Sequence, residues 1–340
     1  MEKLLEIKNL KVIYKTERAT GQALNGMSIS LNPGESLGLV GEAGAGKTTT
    51  ALSILNLLPR AGHILEGEIL FHGKNVLKMS KKELQHMRGH QISMIFQNPL
   101  TSLNPVFTVG EQISMVLRHH LNMKPKQAEE RAKELLEAVG IPAYRLHDYP
   151  VQFSGGMRQI VGIARALSLN PRFIICDEPV SALDVSVQAK IINLLKDLQK
   201  ERNLSYLFIS HDLSVVRHIS DRVAVMYLGQ IIEMADKETI FKDTRHPYSL
   251  ALLSAVPKVS IGQKVHRIVL KGDVPSPMNP KPGCRFAPRC WMARPECMNQ
   301  NQTLQEVSPG HFVACQYAHI SREQMKDAAT ATLKNLTANE

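Results

Sequence analysis

Gly41-Glu42-Ala43-Gly44-Ala45-Gly46-Lys47-Thr48 has the spacing G-x-x-x-x-G-K-[ST], the pattern of a phosphate-binding loop. Residues 36–40 before it predict a buried strand, and residues 49–55 after it predict the first turns of a helix. That strand–loop–helix context separates a working phosphate loop from a flexible Gly/Ala turn. Glycines let the backbone fold tightly, so that consecutive N–H groups point inward at phosphate oxygens. The helix N-terminus adds partial positive charge on the same side. Gly41, Gly44, Ala45, Gly46, Lys47, Thr48 and Thr49 are therefore candidate phosphate ligands. Lys47 supplies a full charge for β- and γ-phosphates, and the Thr48 hydroxyl is placed to ligate Mg²⁺.

The chain has 340 residues, enough for one large α/β domain with an appendage or for two domains. No run approaches the roughly 18 apolar residues needed to span a bilayer. Residues 1–6 lack an apolar signal core, so a cytosolic location is expected. The formal net charge is +10 and the pI about 9.4. Such a balance suits either nucleic acid or an anionic membrane face. No dense Lys/Arg block with interleaved aromatics is present, which favours the membrane as the neighbour.

Residues 4–40 predict short strands, with Tyr14 closing the first run. Its flat face can stack on a nucleobase, or it can simply pack. Residues 59–67 predict a loop, and residues 92–96 a buried strand ending at Gln97, whose carbonyl can ligate Mg²⁺ or orient a water. Residues 105–170 turn helical. Ala128, Ala132, Leu135, Leu136 and Val139 share one helix face, and Gly140 ends that helix.

Ser154-Gly155-Gly156 opens the next helix and makes a candidate anion site. Residues 173–178 run from a buried strand into Asp177 and Glu178. Asp177 suits Mg²⁺ coordination, and Glu178 suits a general base on the attacking water. Cys176 within the run suits a small core residue. Asp184 follows on a loop. His211 follows a further strand, where it can reach a γ-phosphate or be merely structural.

The order of these pieces, from the phosphate loop through Gln97, Ser154-Gly155-Gly156, Asp177-Glu178 and Asp184 to His211, resembles the ATP-binding subunits of ABC transporters over residues 4–240. Phe153-Ser-Gly-Gly-Met-Arg-Gln159, residues 97–105, and His246-Pro247-Tyr248 look like the oligopeptide/dipeptide importers, a branch that includes nickel and glutathione importers. Phe153 and Met157 depart from the Leu and Gln of the wider family, and Ile160 stands where this branch commonly has Arg.

The resemblance implies a RecA-like α/β core with an antiparallel β subdomain. It further implies a helical subdomain at about 98–170 within a cassette of residues 1–245. Residues 246–340 would form an extension. By the same resemblance Tyr14 stacks on adenine and Gln97 senses the γ-phosphate. Ser154, Gly155 and Gly156 close over ATP held by a second cassette, with Asp184 at that interface. Glu178 is the base and His211 holds the γ-phosphate. The implied partners are two membrane permease subunits, a second and non-identical cassette, and indirectly an extracytoplasmic peptide-binding protein. The implied place is the cytoplasmic face of the inner membrane. The rival is an ABC ATPase acting on nucleic acid. Such proteins usually carry two cassettes or long coiled-coil insertions, and this sequence shows neither.

Residues 257–283 predict an extended linker. Cys284, Cys290, Cys297 and Cys315 follow without C-x-x-C spacing. Four thiolates can hold Zn²⁺ or a [4Fe–4S] cluster, and the wide spacing together with the resemblance favours the cluster. His311 and His319 are lesser ligand candidates, and four reduced, packed thiols are the plain alternative. From about residue 322 the tail is expected to be a frayed helix or disordered.

Overall fold

The computed structural model describes residues 2–17, 19–256, 267–278, 280 and 282–337. Strands β1 (Leu5–Lys15) and β2 (Thr20–Leu31) pair antiparallel and bury Leu5, Ile7, Leu10, Val12, Leu24, Met27, Ile29 and Leu31. Strand β3 (Ser36–Val40) then enters the phosphate loop, and α1 (Lys47–Ile54) leaves it. Strands β4 (Gly62–Phe71) and β5 (Lys74–Asn75) complete a four-stranded antiparallel sheet ordered β2-β1-β4-β5.

The predicted loop at residues 59–67 is thus largely strand. Gly62 and Gly67 look like turn residues, but pairing with β1 overrides that local preference. Gly62 lies opposite Tyr14 in register, and a Cβ on it would come 3.1 Å from Tyr14 Cε1. The glycine leaves room for the ring.

After α2 (Lys81–His90) and β6 (Ile92–Ile95) come four helices: α3 (Pro99–Ser102), α4 (Val109–Leu121), α5 (Pro125–Ala138) and α6 (Gly155–Ala166). Thr108 and Glu111 form a reciprocal capping box at the start of α4. Pro125 opens α5, which buries Ala128, Ala132, Leu135 and Leu136.

The chain then alternates β7 (Phe173–Asp177), α7 (Val185–Arg202), β8 (Ser205–Ser210), α8 (Leu213–Ile219) and β9 (Arg222–Tyr227). Next come β10 (Gln230–Asp236), α9 (Lys237–Asp243) and α10 (Pro247–Ser254). The main sheet is ordered β11-β12-β10-β9-β3-β8-β7-β6, where β11 is Gln305–Ser308 and β12 is His311–Val313. From β9 to β6 neighbours run parallel. Every residue of β3, β7 and β8 is buried, as a parallel sheet covered on both faces requires. Cys176 is a fully buried core residue.

The last part of the chain is bound to this core. Strand β12 pairs with β10, so two late strands extend the main sheet. Helices α11 (Pro295–Asn299) and α12 (Arg322–Thr337) complete it. The tail does not fray at residue 322. Met325 and Ala329 are buried, Trp291 Nε1 donates to Met325 O at 3.0 Å, and Arg322 donates to Phe241 O and Lys242 O.

His311, a lesser ligand candidate, has its Nε2 engaged elsewhere. It is buried against the carboxylate of Glu233, 2.9 Å from Oε1. Glu233 also accepts from the Thr244 hydroxyl and the Arg245 and His246 N–H groups. Burial pushes its carboxyl up, but these bonds outweigh burial and hold it below its ordinary value. Residues 257–266, 279 and 281 of the expected linker lie outside the described residues, as do residues 338–340 of the tail.

Candidate active site

Strands β3, β6, β7 and β8 deliver their chemistry to one edge of the sheet, at or just past their C-terminal ends. Ligands of open parallel sheets bind at that edge. Gly46 caps α1 with φ +107°, and a Cβ there would come 2.7 Å from Ala23 O. At Gly41 a Cβ would come 2.3 Å from Met226 O. Both positions exclude larger residues, and no side chain caps α1, which leaves its N-terminus able to receive an anion.

A cavity of about 490 Å³ opens over this loop. Gly44, Ala45, Gly46, Lys47, Thr48 and Thr49 line it together with Gln97, Glu178 and Tyr14, whose hydroxyl lies 3.4 Å from Thr49 Oγ1. Lys47 Nζ folds back onto Gly41 O at 2.8 Å and Glu42 O at 3.2 Å. It also lies 3.6 Å from Glu178 Oε1. Burial lowers its pKa, and Glu178 only partly restores it.

Thr48 Oγ1 donates to Asp177 Oδ1 at 3.2 Å. Burial raises the Asp177 carboxyl, with the Thr48 bond opposing. Hydroxyl and carboxylate oxygens side by side are the hard donors that Mg²⁺ takes.

Glu178 is held from several sides. Gln97 Nε2 donates to its Oε2 at 3.0 Å, and His211 Nδ1 lies 3.2 Å from the same oxygen. Its backbone has φ +46°, a strained value for a non-glycine residue. That turn points the carboxylate back over the loop while its N–H donates to Ile209 O.

Ser154, Gly155, Gly156 and Asp184 do not line this cavity. Ser154 caps α6 by accepting from Met157 N–H, and Asp184 caps α7 by accepting from Val187 N–H. The two caps are neighbours: a Cβ on Gly155 would come 3.6 Å from Leu183, and one on Gly156 would come 2.3 Å from Val187 Cγ1. They stand apart from the cavity lining.

Cys284, Cys290, Cys297 and Cys315 line one small cavity together. Burial pushes Cys290 up to about 12, Cys315 up to about 11, and Cys284 above its ordinary value. No group of three or more His, Cys, Asp or Glu side chains among the described residues is arranged to hold a metal ion. The expected metal site thus gains no support from the arrangement of the described residues, where the four cysteines are free thiols.

Sequence reading missed Thr16, Ala19, Gly21, Pro277 and Met278, which also line this cavity. Only contacts between distant segments reveal them.

Residues 24–181 match the ABC transporter family, and residues 232–297 match the oligopeptide/dipeptide transporter C-terminal region. The oligopeptide transport ATP-binding protein AppF of Bacillus subtilis is 46% identical, covering 92% of this chain and 97% of that protein. The chain belongs to the ABC transporter ATPase family. OppD of the same organism, also an oligopeptide transport ATP-binding protein, is 43% identical over 98% of this chain and 95% of its own length. Among solved structures, the dimeric cassette MJ0796 bound to ADP and Pi aligns with a TM-score of 0.62 at 28% identity. It covers 68% of this chain and 98% of that one. An ATPase cassette with this family's fold is thus established.

Proposed function

We propose that this chain hydrolyses ATP to power uptake of oligopeptides or dipeptides through a membrane transporter. One observation carries the chemistry: Lys47, Thr48, Gln97 and Glu178 line one cavity at one sheet edge, with Asp177 bonded to Thr48 and His211 beside Glu178. The branch and the substrate class rest on the relatives and on the matched C-terminal region.

The loop N–H groups and Lys47 bind the β- and γ-phosphates, and Tyr14 stacks on the base. To do so Lys47 leaves the carbonyls of Gly41 and Glu42. Mg²⁺ would be held by Thr48, Asp177 and Gln97, and would supply neutralisation of phosphate charge. Glu178 accepts a proton from water as the water oxygen bonds to the γ-phosphorus and the bond to ADP breaks. His211 holds the γ-phosphate. Ser154, Gly155 and Gly156 cap ATP on a facing cassette, with Asp184 beside them. No helix among the described residues is long and apolar enough to cross a membrane. In this reading, which rests on the family resemblance, two permease subunits supply the passage and the cassettes sit against them at the cytoplasmic face.

Glu178→Gln tests the chemistry. ATP affinity should hold while turnover falls by about 10²–10⁴, and parental turnover in that variant would remove Glu178 from the role of base. Co-purification tests the setting, because hydrophobic permease subunits support transport whereas nucleic acid supports the rival. The [4Fe–4S] reading keeps one support, the shared cavity of four thiols. Iron and sulfide in protein purified without oxygen would sustain it, zinc alone would replace the cluster, and neither would leave reduced cysteines.

A further inference from the structure

Besides the phosphate loop, two segments distant in sequence wall the cavity. Tyr14, Thr16, Ala19 and Gly21 come from β1, the β1–β2 turn and the start of β2, while Pro277 and Met278 come from the C-terminal part of the chain. The late segment is tied in place at several points. Gln22 N–H donates to Pro277 O at 3.0 Å, and Met278 forms an antiparallel bridge with Gly21. Arg285 donates to Gln22 Oε1 at 2.9 Å and to Leu228 O. A Cβ on Gly21 would come 3.1 Å from Met278 Sδ, so glycine at position 21 permits this approach.

The lining falls into two chemistries. Lys47, Thr48, Gln97 and Glu178 supply charged and polar groups, whereas Tyr14, Pro277 and Met278 supply an aromatic ring, a proline and a thioether among small residues. Phosphates suit the first set and a flat base suits the second. A thioether is a soft, polarizable partner for an aromatic ring. Met278 is also partly exposed, at 39%, which leaves it free to touch a ligand.

We propose that Met278 is a nucleobase-contacting residue, its thioether forming a second wall of the base subsite of which Tyr14 is the first. This rests on the reading that the cavity holds ATP. It makes the C-terminal extension part of the nucleotide site, with Pro277 and Gly21 as the residues that hold the thioether there.

The test titrates the full chain with ATP and, separately, with inorganic tripolyphosphate, both with Mg²⁺. Met278→Ala should weaken ATP binding about two- to tenfold and leave tripolyphosphate binding unchanged. Met278→Leu should recover most of the loss. Unchanged ATP affinity in Met278→Ala, or an equal loss for both ligands, overturns the proposal. Photolabelling of the parental protein with 8-azido-ATP gives an answer that does not depend on variant folding. Label on the peptide containing Met278 supports the contact, and label that never reaches that peptide overturns it. Parental protein that binds no ATP would instead sink the underlying reading.

Discussion

Arg289 grips Glu42 inside the phosphate loop with both arms of its guanidinium: Nη1 lies 2.7 Å from Oε2 and Nη2 lies 3.3 Å from Oε1. Glu42 occupies one of the unspecified positions of the loop pattern, and Arg289 directly precedes Cys290. Tyr248 reinforces the join, since its hydroxyl accepts from Glu42 N–H at 3.0 Å. The C-terminal extension thereby fixes the loop from behind. Bidentate charge-assisted pairs of this kind are both strong and directional.

Arg289→Ala should cost about 1–3 kcal/mol of stability and loosen nucleotide binding. A double-mutant cycle with Glu42→Gln, read by urea unfolding, separates the pair from its surroundings. The expected coupling exceeds about 0.5 kcal/mol. Additive effects would mean that the pair holds nothing in place.

How much of this was legible in advance depended on distance along the chain. Residues 36–55 identified themselves because strand, loop and helix are contiguous, and Asp177 and Glu178 because a buried strand leads directly into them. The strand character of residues 62–67 was hidden, because Gly62 and Gly67 look like turn chemistry until β1 is laid beside them. His311 looked like a spare ligand, because its partner Glu233 lies 78 residues earlier. Arg289 and Met278 carried no local signal at all, since each acquires its role only by reaching a segment near the N-terminus. The cysteines were recognised as a cluster, but spacing says nothing of how the sulfurs point.

Lys47→Ala should weaken ATP binding about 10- to 100-fold, the value of one charge-assisted contact. The fold should persist, because Lys47 now bonds only to loop carbonyls and to Glu178. Nucleotide titration with a parallel melting curve checks both halves. Unchanged affinity in a folded variant would place the phosphates elsewhere.

Gly156 is the next point of leverage. A Cβ there would stand 2.3 Å from Val187 Cγ1, so Gly156→Ala must push α6 away from α7. Overpacking of this kind costs about 1–3 kcal/mol, despite the better helix propensity of Ala. The shift would also displace the Ser154 turn from Asp184, so turnover should fall along with stability. Gly156→Ala with Val187→Ala should be more stable than Gly156→Ala alone. A double variant no better than the single one would show that crowding is not the cause.

The buried pair at the root of the extension predicts how stability changes with pH. His246 is fully buried, its Nδ1 accepts from Tyr248 N–H at 3.1 Å, and burial pushes its pKa down to about 4, with Glu233 opposing. Unfolded, the same imidazole titrates near 6.5. Between those values the unfolded chain binds a proton that the folded chain refuses. Stability from this group is therefore complete above about pH 6.5 and falls as pH drops towards about 4, by on the order of 3 kcal/mol in total. Glu233 acts in a lower window: its depressed pKa contributes stability above its ordinary value near 4.5, lost only as pH falls further. His246→Asn can still accept from the Tyr248 N–H, as a helix cap does, but has no proton to gain. Urea unfolding at pH 7.5, 6, 5 and 4.5 should show a shallower loss for this variant than for the parent. Parallel curves would mean that His246 is not what makes the fold sensitive to mild acid.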